Sequence, residues 1–540
     1  MNTIQLSDLT LDQKIGQLFV CGFHTNVPNE HIIELIEKYH VGGVIYFRRN
    51  IGTARQITDL SADLQQIAQK QGLPPLLIAI DQEGGMVSRI DQDEMSLIPG
   101  NMTLGAVNDL HLTKAASAIS ARELRTLGIN VNFAPCVDVN NNPRNPVIGV
   151  RSYSEKPEVV ATHGAAAIQA IQQEQVAATA KHFPGHGDTE VDSHYGLASV
   201  PHDKSRLEEI ELLPFRAAIQ AGVDIIMSAH VIFPAFEPES IPATLSRKVL
   251  TDLLRTQMGF DGLIVTDCLE MHAIAKHFPI PQATVMAAQA GADLLLVSHT
   301  LEHQIAAIEA IKEAVQQGHL SEAQIDTSVE RILALKAKHQ MNTEPYSIKE
   351  WTERLEPSTI EPILREIAER SITLVKDEGQ LPLQKNDHVL VIWPQVTRLT
   401  EVDEPTGHDI SFAQALRCYG IDATQIVIDS RPEPEEIEQV LEQAIQYPKV
   451  IFAAYTSSGR LPLGQAELAR RLSLLTDTVL IVASVRNPYD MNDLPEIKTY
   501  LCSYENRKYA VEALAAVIAG EKPALGKLPV SLNDQYRIQL

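Results

Sequence analysis

The sequence predicts an α/β protein in two parts, an N-terminal (β/α)8 barrel of the TIM type followed by a C-terminal αβα sandwich. Three observations carry that reading. Eight short apolar runs recur between residues 16 and 299, with amphipathic helical stretches between most of them. A second, shorter α/β alternation follows a proline-bearing stretch at 341–357. The chain of 540 residues also exceeds the ~250–300 at which one hydrophobic core stops growing.

The eight runs are GQLFVCGF (16–23), VGGVIYF (41–47), PLLIAID (75–81), NVNFAPCVDV (130–139), VAATAKHF (176–183), VDIIMSAHVIF (223–233), GLIVTD (262–267) and DLLLVSH (293–299). Each is rich in Val, Ile, Leu or Ala with little polar alternation, as parallel strands covered on both faces require. HIIELIEKYH, ITDLSADLQQIAQKQ and PEVVATHGAAAIQAIQQE place apolar residues at helical spacing between them. The expected barrel occupies 1–340. Residues 341–357 (MNTEPYSIKEWTERLEP) carry two prolines and little periodicity and read as a linker. In 358–540 the runs HVLVIWP, QIVIDS, KVIFAAY and TVLIVAS alternate with helices such as EPEEIEQVLEQAIQ, which fits a three-layer sandwich. Neither GxGxxG nor GxxxxGK[ST] occurs, so nucleotide binding has no support.

Lys and Arg number 45 against 69 Asp and Glu, a net charge of −24. A chain this acidic repels phosphate backbones and anionic lipid, so no nucleic-acid or membrane partner is expected. The five cysteines (21, 136, 268, 418, 502) are scattered and never form CxxC, the pattern of free thiols in a reducing compartment. With no signal-peptide pattern at the start and no run of 18 apolar residues, the expected location is the cytoplasm.

Barrel chemistry sits at the C-terminal ends of the strands. Those positions hold Asp81, Asp138, Lys181, His182, His230, Asp267 and His299. Apolar strands that end so often in ionisable residues imply a wet mouth with a task. The densest segment is KHFPGHGDTEVDSH (181–194), with His182, His186 and His194, Asp188 and Asp192, and Pro184, Gly185 and Gly187 shaping a loop. Its histidines and aspartates are zinc-ligand types, but barrel metallohydrolases want an HxH pair at the first strand, where only His24 stands. No metal and no other cofactor is expected. In the acid/base reading, Asp192 accepts a hydrogen bond from one ring nitrogen of His194 and leaves the other free to move a proton.

KHFPGHGDTEVDSH together with VTDCLEM (265–271) resembles the two diagnostic motifs of glycoside hydrolase family 3, in the β-N-acetylglucosaminidase branch that takes terminal GlcNAc from peptidoglycan fragments. AIDQEGGMVSRI (79–90), RSYS (151–154), PATLSRKVLTDLLR and ERSITLVKDEGQLPL extend the likeness over nearly the whole chain. The resemblance implies Asp267 as nucleophile, His194 as acid/base and Asp192 as the carboxylate orienting it. It implies Asp81, Arg89, Arg151, Lys181 and His182 as holders of the sugar hydroxyls. Arg89 and Arg151 come from the resemblance alone; by themselves they read as surface or salt-bridging arginines. A histidine acid/base departs from the usual carboxylate pair of retaining glycosidases. Neutral once deprotonated, it would admit phosphate as acceptor, so phosphorolysis is the alternative within the class. A catalytically dead muropeptide sensor is the alternative outside it. The expected partner is a small carbohydrate. Cys268 reads as packing, and Glu505 as a solvated surface carboxylate that would replace His194 only if the loop dyad were a coincidence.

Overall fold

The strand order that the apolar runs demand is the one that forms. The computed structural model describes residues 4–90, 95–190, 196–341, 357–400, 403–404, 411–457, 459–494 and 496–540. Eight parallel strands stand side by side: β1 (Phe19–Cys21), β2 (Gly43–Tyr46), β3 (Leu77–Ile80), β4 (Val131–Asn132), β5 (Ala177–Phe183), β6 (Ile225–Ser228), β7 (Leu263–Thr266) and β8 (Leu295–Val297). β8 pairs with β1 in the register Phe19–Leu295, and a parallel bridge between Val265 and Leu294 closes the circle. Val20, Ile45, Leu77, Ala79, Val131, Ile225, Leu263 and Leu296 fill its interior as one buried cluster. The other side chains of the same strands meet the helices outside. The helix Ala54–Lys70 shows how: Thr53 caps it at Gln56, and Ala54, Ile57, Leu60, Leu64 and Ala68 form its buried stripe.

Residues 342–356, nearly all of the expected linker, lie outside the described residues. Beyond them, six strands form a mixed sheet: β9 (Thr373–Asp377), β10 (His388–Pro394), β11 (Asp422–Ile428), β12 (Lys449–Ala454), β13 (Val479–Ser484) and β14 (Thr499–Cys502). Their order is β9-β14-β13-β12-β10-β11, and β9 runs antiparallel to its neighbour β14. The four runs expected from the sequence form β10 to β13; β9 and β14 are additional.

The two parts share a core. Met86, Met102, Ala106 and Val150 of the first are buried in the apolar cluster of the second. Burial of side chains of this size contributes ~1.5–3 kcal/mol for each of the larger ones. A tail from the second part then straps the first: Ser154 Oγ and Glu155 N donate to Pro529 O, and Ser531 N and Oγ donate to the Glu155 carboxylate at 2.8 and 2.6 Å.

Glu505 belongs to this seam, which corrects its reading as a solvated carboxylate. It is 4% exposed, and its Oε2 accepts a hydrogen bond from Gly100 N at 3.2 Å. Burial pushes its carboxyl up to about 6, only partly offset by Arg507 and the Gly100 bond. A folded-state pKa raised in this way contributes stability that is whole below the unfolded value of ~4.3 and is lost as pH rises through about 6. Glu505→Gln removes that dependence. Its thermal stability relative to the parent protein is therefore expected to climb by about 2 kcal/mol between about pH 4 and pH 6 and then level off. Unfolding midpoints of both proteins across that range check it, and a difference constant with pH defeats it.

Candidate active site

At the C-terminal end of the barrel lies a cavity of about 610 Å³, and Asp81, Arg89, Arg151, Lys181, His182 and Asp267 all line it. Strand ends supply part of the set. Asp81 follows β3, Lys181 and His182 stand in β5, and Asp267 follows β7 with its Oδ1 accepting from Cys268 N at 2.7 Å. The two arginines arrive differently. After β3 the chain folds into a short antiparallel ribbon, Gln82–Gly84 against Val87–Ser88. Gln82 Nε2 pins it by donating to Ser88 Oγ at 2.8 Å and Ile90 O at 3.0 Å. The ribbon carries Glu83 and delivers Arg89.

Arg151 ends a turn, Gly149–Arg151, whose approach Asn145 organises. The Asn145 Oδ1 accepts from Val147 N and Ile148 N, and its Nδ2 donates to His186 O and Gly187 O. Asn145 thereby ties the Arg151 turn to the stem of the loop after β5. Gly187 is needed in that stem because a Cβ there would overlap the Val139 carbonyl.

Glu83 holds the cations in place. Its carboxylate takes a forked pair of bonds from Arg151 at 2.7 and 3.0 Å and lies 2.7 Å from Lys181 Nζ, with the Glu83 and Lys181 side chains 3% and 2% exposed. Burial alone would raise its pKa, but Arg151 and Lys181 hold the carboxyl far below the usual range. Burial would likewise pull the Lys181 ammonium down, and Asp81 and Glu83 outweigh it and raise it. Lys181 also donates to Asp81 Oδ1 at 2.8 Å, and Arg89 Nη2 lies 3.9 Å from Asp81 Oδ2.

His182 is aimed by a buried carboxylate. Asp138 Oδ2 accepts from His182 Nδ1 at 2.7 Å and from the Cys136 thiol, while its Oδ1 accepts from His186 N at 2.6 Å. Among the described residues, Cys136, Asp138 and His182 bring ligand-type atoms within 4.8 Å of one another. They are spent on each other: burial holds the thiol protonated, and the imidazole presents Nε2, which lies 3.5 Å from Arg151 Nη2. Asp138 is pulled to about 2, since His182 and His186 outweigh its burial.

The remaining expectations divide. His299 lines the cavity, whereas His230 is buried with its ring between Thr244 Oγ1 and Cys268 O. Burial pushes the Cys268 thiol up to about 12, which fits packing. Asp192 and His194 lie outside the described residues. Glu505 bonds Gly100 in the seam rather than lining the cavity. Sequence reasoning did not single out Glu83, Arg49, Arg398 or Glu404, which also line the mouth. A carboxylate two residues beyond Asp81 was the one local hint of Glu83. Nothing local marks Glu404, which is 315 positions from its partner Arg89.

Residues 10–335 match the profile of the glycosyl hydrolase family 3 N-terminal domain. The chain belongs to glycoside hydrolase family 3. This family 3 enzyme is a glycoside hydrolase, and its two-part architecture is shared. A family 3 β-N-acetylglucosaminidase from Paenibacillus sp. str. FPU-7 superposes with a TM-score of 0.93 at 45% identity, covering 98% of this chain and all of the other. The β-hexosaminidase A of Pseudoalteromonas piscicida is 34% identical over 97% of both chains. A β-hexosaminidase of Nitrosomonas eutropha is 38% identical over 48% of this chain and 73% of its own length.

In this family 3 barrel, Glu83→Gln would leave Lys181 and Arg151 buried with no shared carboxylate. The expected loss is about 3–5 kcal/mol of unfolding free energy. Denaturant titration of the barrel transition checks it; a loss under about 1 kcal/mol would show that the cations find other partners.

Proposed function

We propose that the enzyme is a retaining exo-β-N-acetylglucosaminidase that removes terminal GlcNAc from muropeptides in the cytoplasm. Asp267 is its nucleophile, His194 its acid/base, and Asp192 the carboxylate that orients His194. The observation that carries the reading is the single cavity that Asp267 shares with Asp81, Arg89, Arg151, Lys181 and His182. Paired donors and acceptors of this kind suit the adjacent hydroxyls of a pyranose ring. The activities for which the Paenibacillus and Pseudoalteromonas relatives are named support the choice of sugar.

In the first step the Asp267 carboxylate attacks the anomeric carbon while His194 gives its proton to the departing oxygen. In the second, neutral His194 takes a proton from water as that water displaces the carboxylate, and the configuration is retained. Asp267 follows a four-residue buried strand, which holds the nucleophile at a fixed approach to the ring.

A natural sugar alkoxide needs the proton of His194, whereas a nitrophenolate hardly does. General acid catalysis contributes ~10²–10⁴-fold, so His194→Ala is expected to lose about that much on a GlcNAc disaccharide and far less glycosylation rate on an aryl glycoside. Because deglycosylation loses its base, a burst of nitrophenol should precede slow turnover. Equal losses on both substrates, without a burst, remove His194 from the mechanism. A 2-fluoro or 5-fluoro glycosyl probe is expected to add its mass to the peptide containing VTDCLEM. Labelling elsewhere, or inversion of the product, removes Asp267. Product analysis on defined muropeptides with and without phosphate identifies both the aglycone and the acceptor.

A further inference from the structure

The second domain reaches into the cavity, and we propose that its Glu404 is a positioning residue for the sugar site, holding the Arg89 guanidinium beside Asp81. This rests on the reading that the cavity receives a sugar ring. The Glu404 carboxylate lies 2.5 Å from Arg89 Nη1, while Arg89 Nη2 faces Asp81 Oδ2 at 3.9 Å. Both side chains line the cavity and are nearly enclosed, Arg89 at 7% and Glu404 at 12% exposed. Lys181, Asp81, Arg89 and Glu404 thus form one row of alternating charge along the wall.

Such a row suits a vicinal diol, because each hydroxyl both donates and accepts. Arg89 can only donate, and the two carboxylates that flank it supply acceptors. The guanidinium is planar and grips through its edges. With Asp81 at 3.9 Å on one side, the bond to Glu404 on the other side sets the plane.

Glu404 is itself fixed from two directions. Its backbone N–H donates to Met86 O, in the ribbon that delivers Arg89. Its neighbour Asp403 makes a forked pair with Arg486, both bonds 2.9 Å, with side chains 2% and 5% exposed. Asp403 Oδ2 also accepts from Leu399 N and Thr400 N, bracing the loop that leaves β10. Arg486 stands two residues past β13 and donates to Tyr455 Oη at 3.2 Å. Glu404 therefore carries the position of the second domain's sheet into the sugar pocket.

The test uses the full chain with p-nitrophenyl β-N-acetylglucosaminide as substrate and free GlcNAc as competitive inhibitor. Parent, Glu404→Gln, Glu404→Ala, Arg89→Ala and the Arg89→Ala/Glu404→Ala double variant are compared. Loss of one charge-assisted bond predicts a rise of about tenfold in both KM and the GlcNAc inhibition constant for Glu404→Gln, with a smaller change in kcat. Its thermal midpoint should fall much less than that of Glu83→Gln, because Arg89 keeps Asp81 as a counter-charge. Because Glu404 acts through Arg89, the double variant should be no weaker than Arg89→Ala alone.

Unmoved constants in both Glu404 variants overturn the proposal. So do losses that multiply in the double variant, or tighter GlcNAc binding in Glu404→Gln, which would make the ion pair a contact that substrate must break. A parent protein that leaves the glycoside uncleaved and does not bind GlcNAc defeats the sugar-site reading and this proposal with it. An active parent with unmoved Glu404 variants defeats this proposal alone.

Discussion

One buried carboxylate decides whether the barrel mouth can exist. Lys181 and Arg151 are cations brought together where little water reaches, and without an anion between them each would raise the cost of burying the other. Glu83 stands between them, so both keep their charge and each has a defined direction. Lys181 can then hold Asp81, and the row of charge extends across the wall to Arg89 and Glu404. The same logic operates on the other side of Arg151, where Asp138 Oδ2 aims His182 through its Nδ1 while Oδ1 accepts from His186 N. In both places a buried carboxylate fixes the groups proposed to touch the substrate, as enzymes require when they must bind a polar ligand without reorganising around it.

The division of labour between the domains follows from where these groups originate. The barrel strands supply rigid points at β3, β5 and β7, but a sugar ring needs contacts on more sides than strand ends provide. The ribbon after β3 and the turn before Arg151 fill that need. Neither is a deep element of the barrel, and both are braced by the second domain. Met86 in the ribbon and Val150 in the turn are buried in the second domain's core, and the tail at 529–531 grips residues 154 and 155. The apolar seam gives this bracing its strength, and polar pairs such as Asp403–Arg486 give it direction.

The sequence was most legible where chemistry and periodicity coincide. All eight barrel strands fall inside the apolar runs, because a parallel strand covered on both faces has no room for polar alternation. β9 escaped because only Thr373 of its five residues is buried, so Thr373–Asp377 has no apolar run and reads as ordinary mixed sequence. In the site, Asp81, Lys181, His182 and Asp267 were readable as ionisable ends of buried strands. His230 obeyed the same rule yet turned inward, since Thr244 and the Cys268 carbonyl hold its ring. Arg89 and Arg151 could not be told from surface arginines by composition. Long-range folding makes them interior, and the carboxylates that neutralise them lie 68 positions away for Arg151 and 315 for Arg89. Glu505 reads as solvated for the same reason: its hydrogen-bond partner Gly100 belongs to the other domain.

The strap between Ser531 and Glu155 also places the finished mouth in time. A ribosome makes the Arg151 turn early and the residues that clamp it 376 positions later. At ~5–20 residues per second that interval is about 20–75 s. The eight strands and the helices that cover them all precede that clamp in the chain. The ribbon and the turn remain unsupported until the second sheet and its tail emerge and dock. The residues that brace the pocket are therefore made long after those that line it, and the mouth is completed later than the fold that carries it.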